Sequence, residues 1–272
     1  MPTNKTVKVD FHQYILNCLP SPEKEKDWSL EAAADAGVAA APAPLPPSMD
    51  LRENWWKIGD QGHTGSCVGW GCADGVLRWH FHKAGKLADI ERLSVRAVWM
   101  SAKETDQSTN RPTTFIERSG TWLKAALDVA RKHGVVLESV LPFTNPPNTP
   151  ELYLAGNEAS FYALAARRKI SSYFNLGRNL DDWRSWLAFN GPILTRLDVD
   201  SAWYAATTNN GNLDIYRRPR SPAGHCIALV GYTPTRFIVR NSWGTVWGDR
   251  GFGYASNEYA TAAFTEAYGV SL

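Results

Sequence analysis

Apolar residues recur at helical spacing from Ser66 or Cys67 onward: Val68, Cys72, Ala73, Val76 and Leu77 share one face. Gly69, Gly71 and Gly75 interrupt that helix, each at about 1 kcal/mol relative to alanine. A helix that keeps them packs closely against other backbone, so the pattern predicts a central one. Leu93–Lys103 and Thr121–His133 read as a second and third helix, with Gly134 as the stop of the third. Asp181–Phe189 reads as a fourth, ended by Asn190-Gly191-Pro192. The texture then changes. Ile193–Val199, Cys226–Val230, Phe237–Arg240 and Gly251–Ala255 are short apolar or aromatic runs between turn residues, the mark of an antiparallel sheet. The chain is therefore read as α+β with two lobes and no internal repeat.

The N-terminal part has another character. Val7–Leu19 alternates irregularly and predicts a short strand or helix that docks on the rest. Lys24 to Asp27 is a charged cluster, Ala32 to Ala41 is alanine-rich, and Pro42, Pro44, Pro46 and Pro47 favour an extended linker at about 38–47. We divide the chain into an extension at 1–44 and a domain at 45–272, with a helical lobe at about 60–150 and a β lobe at about 155–272.

Composition narrows the function classes. The 272 residues carry a net charge of +2 with no basic block, which argues against a nucleic-acid partner. No apolar run is long enough to span a bilayer, and no h-region follows Met1 to Asp10. That favours the cytoplasm, or export without a cleavable signal. Twelve tryptophans read as core residues. Cys18, Cys67, Cys72 and Cys226 show no metal-ligand spacing, and a chain without disulfides suits a reducing compartment. On a helix Cys72 lies about 140° around from Cys67, so it and Cys226 read as small buried hydrophobes. His80-Phe81-His82 lacks a third metal ligand and reads as two exposed histidines at a helix end. No metal or cofactor is implied.

One stretch carries chemistry. Gln61-Gly62-His63-Thr64-Gly65-Ser66-Cys67 places a thiol at a helix start after a glycine-containing loop. A thiol attacks as thiolate, and a helix N-terminus favours that charge. Gly224-His225-Cys226 and Asn241-Ser242-Trp243-Gly244 follow far downstream. Cysteine, histidine and asparagine in that order are the parts of a thiol hydrolase. Gly65-x-Cys67-x-Gly69 also echoes a nucleophile elbow, but Trp56–Gly65 does not read as the strand this requires.

These motifs resemble the papain-like cysteine peptidases. Gln61-Gly62 with Ser66-Cys67 is similar to the family's nucleophile motif, and His225 to Tyr232 to its histidine strand ending in Val-Gly-Tyr. Asn241-Ser242-Trp243-Gly244, with Trp247-Gly248 and Gly251-Phe252, is similar to its asparagine motif. Met49 to Arg52, Ser119-Gly120 and Pro142-Phe143 are weaker matches, and the likeness covers about 48–255 in order. It implies a papain-like two-lobe fold: a helical lobe with a central catalytic helix, and an antiparallel, barrel-like β lobe. The same resemblance implies roles. Cys67 is the nucleophile, its pKa lowered by the imidazolium of His225 beside it. Asn241 orients the imidazole, completing a catalytic triad, and Trp243 shields that bond. Gln61 and the Cys67 N–H form the oxyanion hole. Ser119 and Gly120 pair with substrate backbone as an added strand, and Trp243 borders the substrate.

Departures carry information too. Thr64 stands where the family has a disulfide cysteine, and Val68 replaces a tryptophan. The Cys67-to-His225 interval exceeds the usual roughly 130–150 residues, which predicts an insertion at Asn145–Tyr162 or Thr105–Glu117. The extension lacks the long helical pattern of the usual propeptide and resembles that of bacterial, xylellain-like members. It is expected to lie near the cleft and restrain access, unless it is a disordered tail. The expected activity is that of a monomeric cysteine endopeptidase acting on protein or peptide substrates. The alternatives are an acyl transferase or transamidase with the same site, and a non-catalytic binding protein on the same scaffold.

Overall fold

Two glycines of the central helix, Gly71 and Gly75, are where the two lobes touch, and Gly69 is where that helix meets its neighbour Val95–Thr105. In the computed structural model, which describes residues 10–39, 44–105, 120–143 and 158–272, the helix begins at Cys67–Gly69. It widens into π-type turns over Trp70–Leu77 and continues as Arg78–Lys83. Every residue from Cys67 to Leu77 is buried. A Cβ at Gly71 would lie 2.4 Å from the Cys226 Sγ, and one at Gly69 2.7 Å from the Trp99 Cβ. No larger residue fits at either point. Helices Val95–Thr105 and Leu123–Lys132 pack beside it, the first displaced two residues along the chain from the predicted Leu93–Lys103 and the second slightly shorter than predicted. The latter ends at Gly134, whose φ of +91° is glycine's own territory.

The second lobe is a sheet. Its strands are β1 Met49–Asp50, β2 Ser172–Asn175, β3 Ile193–Val199, β4 Asn212–Leu213, β5 Ala223–Tyr232, β6 Arg236–Arg240, β7 Phe252–Ser256 and β8 Phe264–Ser271. The order is β2-β8-β3-β5-β6-β7-β4, with β1 against β5. Pairing is antiparallel except for the short parallel contact of β4 with β7. The four predicted strands are all present, some longer by one to three residues at an end. β8 and helix Asn257–Ala263 escape the sequence pattern, because Phe264–Ser271 mixes polar residues and glycine into a buried strand.

β5 is the hinge of the architecture. It is buried from Gly224 to Tyr232, with the central helix on one face and a second core on the other. That second core holds Trp183, Trp186, Trp203, Trp243 and Trp247, so the many tryptophans are indeed mostly interior. Among the described extension residues, Phe11–Gln13 is a single 3-10 turn and Leu30–Asp35 a short helix capped by Ser29. Of the proposed linker, Val38 and Ala39 pack on the β-lobe core, and the Pro46 carbonyl accepts the Tyr232 hydroxyl at 2.8 Å. The proposed insertion sites lie mostly outside the described residues.

Candidate active site

Cys67 is the first residue of the central helix, and β5 delivers His225 to it from the other lobe. The ring is buried. Its Nε2 lies 2.8 Å from the Asn241 Oδ1, just past the end of β6. That same oxygen accepts the Ser242 N–H at 2.8 Å, so the carbonyl end of the amide faces the ring. Nε2 is then the donor, and Nδ1, which makes no conventional hydrogen bond, is left for the thiol. Trp243 covers the pair, its ring 5.2 Å from that of His225, and Trp203 meets the imidazole edge-on at 5.6 Å.

Gln61 is tied to this assembly. Its N–H donates to the Ser242 carbonyl at 2.8 Å, and its Oε1 accepts the Ser242 hydroxyl at 2.8 Å. The side-chain amide donates to the Thr64 carbonyl at 3.0 Å and faces the Ile15 carbonyl at 3.5 Å. Gln61, Cys67, His225, Asn241 and Trp243, far apart in sequence, thus share one buried site. Gly120 lies at its edge, and Ser119 lies outside the described residues.

Residues of the extension fill the cleft between the lobes. Tyr14 stacks on Trp243 at 4.6 Å and donates to the Asp60 carboxylate at 3.0 Å. Asn17 Oδ1 is 3.9 Å from the Cys67 Sγ. The Cys18 N–H donates to the Gly224 carbonyl at 3.0 Å and its carbonyl accepts Arg196 Nε at 3.0 Å. Leu19 N–H donates to the Thr121 carbonyl at 2.9 Å, in a parallel bridge. Further along, Ser21 N–H donates to the buried Glu266 at 2.8 Å, and Asp27 receives Lys124 at 2.5 Å and the Tyr268 hydroxyl at 2.7 Å. Two glycines admit this path. A Cβ on Gly120 would stand 1.8 Å from the Asn17 carbonyl oxygen, and one on Gly224 2.0 Å from that of Cys18.

This covering changes the electrostatics expected from sequence. The adjoining Cys18 thiol and burial hold the Cys67 thiol well above the ordinary range, while His225 pulls the other way. The expected depression of its pKa is therefore not seen here, because the Cys18 thiol and burial outweigh the pull of His225. Sequence patterning could not foresee Cys18 in this place; only the irregular Val7–Leu19 stretch hinted at a docked segment. The histidine pair also needs correction. His80 is buried, and burial lowers it to about 4. His82 stacks on Trp55 at 3.7 Å and meets Asp89 at 2.7 Å. Among the described residues no His, Cys, Asp and Glu cluster could hold a metal ion.

The papain family cysteine protease profile matches residues 45–268, and the chain belongs to that family. In fold it is similar to xylellain, a cysteine protease from Xylella fastidiosa, at TM-score 0.74 and 21% identity over 95% of this chain and 96% of that one. Digestive procathepsin L 3 of Tenebrio molitor aligns at TM-score 0.65 and 18% identity, covering 86% and 72%. In sequence the chain is 26% identical to vignain of Phaseolus vulgaris over 219 residues, 76% of this chain and 53% of that protein. A cathepsin L-like peptidase of Aedes aegypti is 23% identical, over 79% and 60%. The chain thus spans between half and two thirds of the length of these two curated relatives.

Proposed function

We propose that this chain is a cysteine endopeptidase held latent by its own extension. The observation that carries the reading is the pairing of Cys67, at a helix N-terminus, with a histidine whose Nε2 is held by Asn241 while Nδ1 stays open toward the thiol. With the extension displaced, water enters and the burial that disfavours the thiolate is relieved, so His225 can take the Cys67 proton. The thiolate attacks the substrate carbonyl carbon. Gln61 Nε2 and the Cys67 N–H receive the oxyanion, where one such donor is typically worth about 2.7–4 kcal/mol. His225 returns the proton to the leaving amine, and a thioester remains on Cys67. Water, activated by the same imidazole, then releases the acid.

Gly120 and Ser119 would pair with the substrate backbone, since Gly120 already admits the extension's backbone at contact distance. Trp243, stacked on Tyr14, would border the leaving-group side and keep water from the His225–Asn241 bond. Ile15 supports the latent reading: its carbonyl faces the amide assigned to the oxyanion. Four free thiols suit a reducing compartment. Among the described residues no helix is long and apolar enough to cross a membrane.

The test is labelling of the full chain with an epoxide thiol inhibitor, in parallel with a fluorogenic peptide screen run with and without amine acceptors. Labelling and hydrolysis that both vanish in Cys67→Ala support the reading. Intact peptide with unlabelled Cys67 in chains starting at Pro46 would overturn it. Acyl transfer to the amines in preference to water would make the enzyme a transferase.

A further inference from the structure

Three of the four cysteines converge on the cleft, and peptide hydrolysis needs only one of them. Cys67 begins the central helix, Cys226 packs from β5 against Gly71 of that helix, and Cys18 arrives with the extension. All three are buried. Asn17, the chain neighbour of Cys18, brings its Oδ1 to 3.9 Å from the Cys67 Sγ, and the Cys18 N–H meets the Gly224 carbonyl, next to His225, at 3.0 Å, so the Cys18 thiol adjoins Cys67 and Cys226 and acts on the titration of both. Its backbone is fixed from two lobes: Gly224 and Arg196 on the β side, and Thr121 through Leu19 on the helical side. The thiol is therefore held beside Cys67 rather than carried past it on a loose tail.

We propose that Cys18 is the resolving cysteine of Cys67, so that a peroxide oxidises the pair to a disulfide tying the extension across the cleft. The inference rests on Cys67 being the His225-activated thiol of the proposed peptidase. The first step occurs when the extension lifts and the thiolate forms. Cys67 sulfur attacks one oxygen of hydrogen peroxide, the O–O bond breaks, and hydroxide leaves and takes a proton to become water. Cys67 is now a sulfenic acid. When the extension redocks, Cys18 sulfur attacks the Cys67 sulfur. The S–O bond breaks, and the departing hydroxide takes the Cys18 proton as a second water. Two thiols and one peroxide thus give one disulfide and two waters. A dithiol reductant reverses the link by exchange.

Cys226 is the competing partner, and the chemistry disfavours it as the first thiol oxidised. Burial pushes it up to about 11, with Cys18 drawing it back only in part, and no imidazole acts on it. Cys67 alone has a base at hand. A resolving thiol next to a sulfenic acid also halts oxidation before the irreversible sulfinic stage. The device keeps the nucleophile recoverable and the cleft shut until reductant is present.

The test uses the full chain, reduced, desalted, and treated with hydrogen peroxide. Free thiols are then alkylated, and the protein is digested with trypsin and mapped by mass spectrometry without reduction. The expected result is the Cys18 peptide joined to the Cys67 peptide, fragmentation placing the link at Cys67 rather than Cys72, and dithiothreitol separating the two. In Cys18→Ser the same dose should drive Cys67 to the sulfinic acid, and peptide hydrolysis lost to peroxide should no longer return with dithiothreitol. A Cys18–Cys226 link, or alkylated Cys18 beside sulfinic Cys67 in the unmodified chain, overturns the proposal. The link is read by mass, without substrate. A chain that forms it but cleaves no peptide after reduction refutes the peptidase reading and leaves the latch standing. One that cleaves peptides in dithiothreitol but never forms the link does the reverse.

Discussion

At the scale of single residues, the site depends on Asn241 more than its neutral side chain suggests. Its Oδ1 is committed to both the Ser242 N–H and the His225 Nε2, so it fixes which ring nitrogen faces the thiol. A neutral hydrogen bond of this kind contributes about 1 kcal/mol, and correct ring orientation adds to it. Asn241→Ala should lower kcat roughly tenfold or more with little change in KM, as measured on a fluorogenic peptide after reduction. His80 makes a separate prediction, about stability. Its pKa is about 4 in the fold and the ordinary 6.5 when unfolded. Between these values the unfolded chain binds a proton that the folded chain refuses. Stability is thus fully present above pH 6.5 and is lost as pH falls toward 4, by about 2 kcal/mol at pH 4.5. His80→Leu should flatten that part of the acid limb in urea unfolding series at pH 7 and 4.5. An unchanged slope would show that other groups carry it.

Among the elements, the extension is the one whose removal says most. Tyr14 stacks on Trp243 at 4.6 Å, and such a pair is worth about 0.5–1.5 kcal/mol beyond area burial. If docking closes the cleft, Tyr14→Ala should raise basal peptide hydrolysis in reductant roughly two- to tenfold. A chain starting at Pro46 should exceed the full chain by more, and equal initial rates would remove the latent reading. This element also marks where sequence stops being legible. That Cys67, His225 and Asn241 would come together could be read directly, because a thiol site of the expected kind demands those residue types in recurring local settings. The central helix was legible from its glycines, and β3 from its apolar run. Cys18 was not, since a buried thiol and a resolving thiol look alike until the cleft brings Gly224 and Thr121 to either side of it. β8 was hidden for a related reason: Glu266 sits in a buried strand, where it receives Ser21 from the extension. Partners so remote in sequence leave no local pattern.

For the whole molecule, the question is what holds the two lobes together around the cleft. Asp74, on the central helix, is the clearest answer. Its carboxylate meets Arg240 of β6 at 2.5 Å, and Arg78 and Arg92 at 3.2 Å each. Arg240 also donates to the Trp56 and Lys57 carbonyls at 2.8 Å, fastening the loop before Gln61 to the same point. Burial opposes the Asp74 charge, but Arg240, Arg92 and Arg78 outweigh it and keep the carboxyl below its usual range. Its contribution is therefore present through the mildly acidic window in which His80 acts, and is lost only as pH falls below the ordinary carboxylate range. One acid serving three arginines makes the cluster asymmetric. Asp74→Ala strands the buried Arg240 among like charges, a class of change that costs about 3–5 kcal/mol. Arg240→Met removes one cation yet leaves Asp74 paired with Arg78 and Arg92, so it should cost distinctly less. Thermal or urea unfolding of the two variants at pH 7 measures the difference. Equal losses would mean that the lobes are joined by the glycine-lined helix contact alone, with Asp74 merely accommodated beside it.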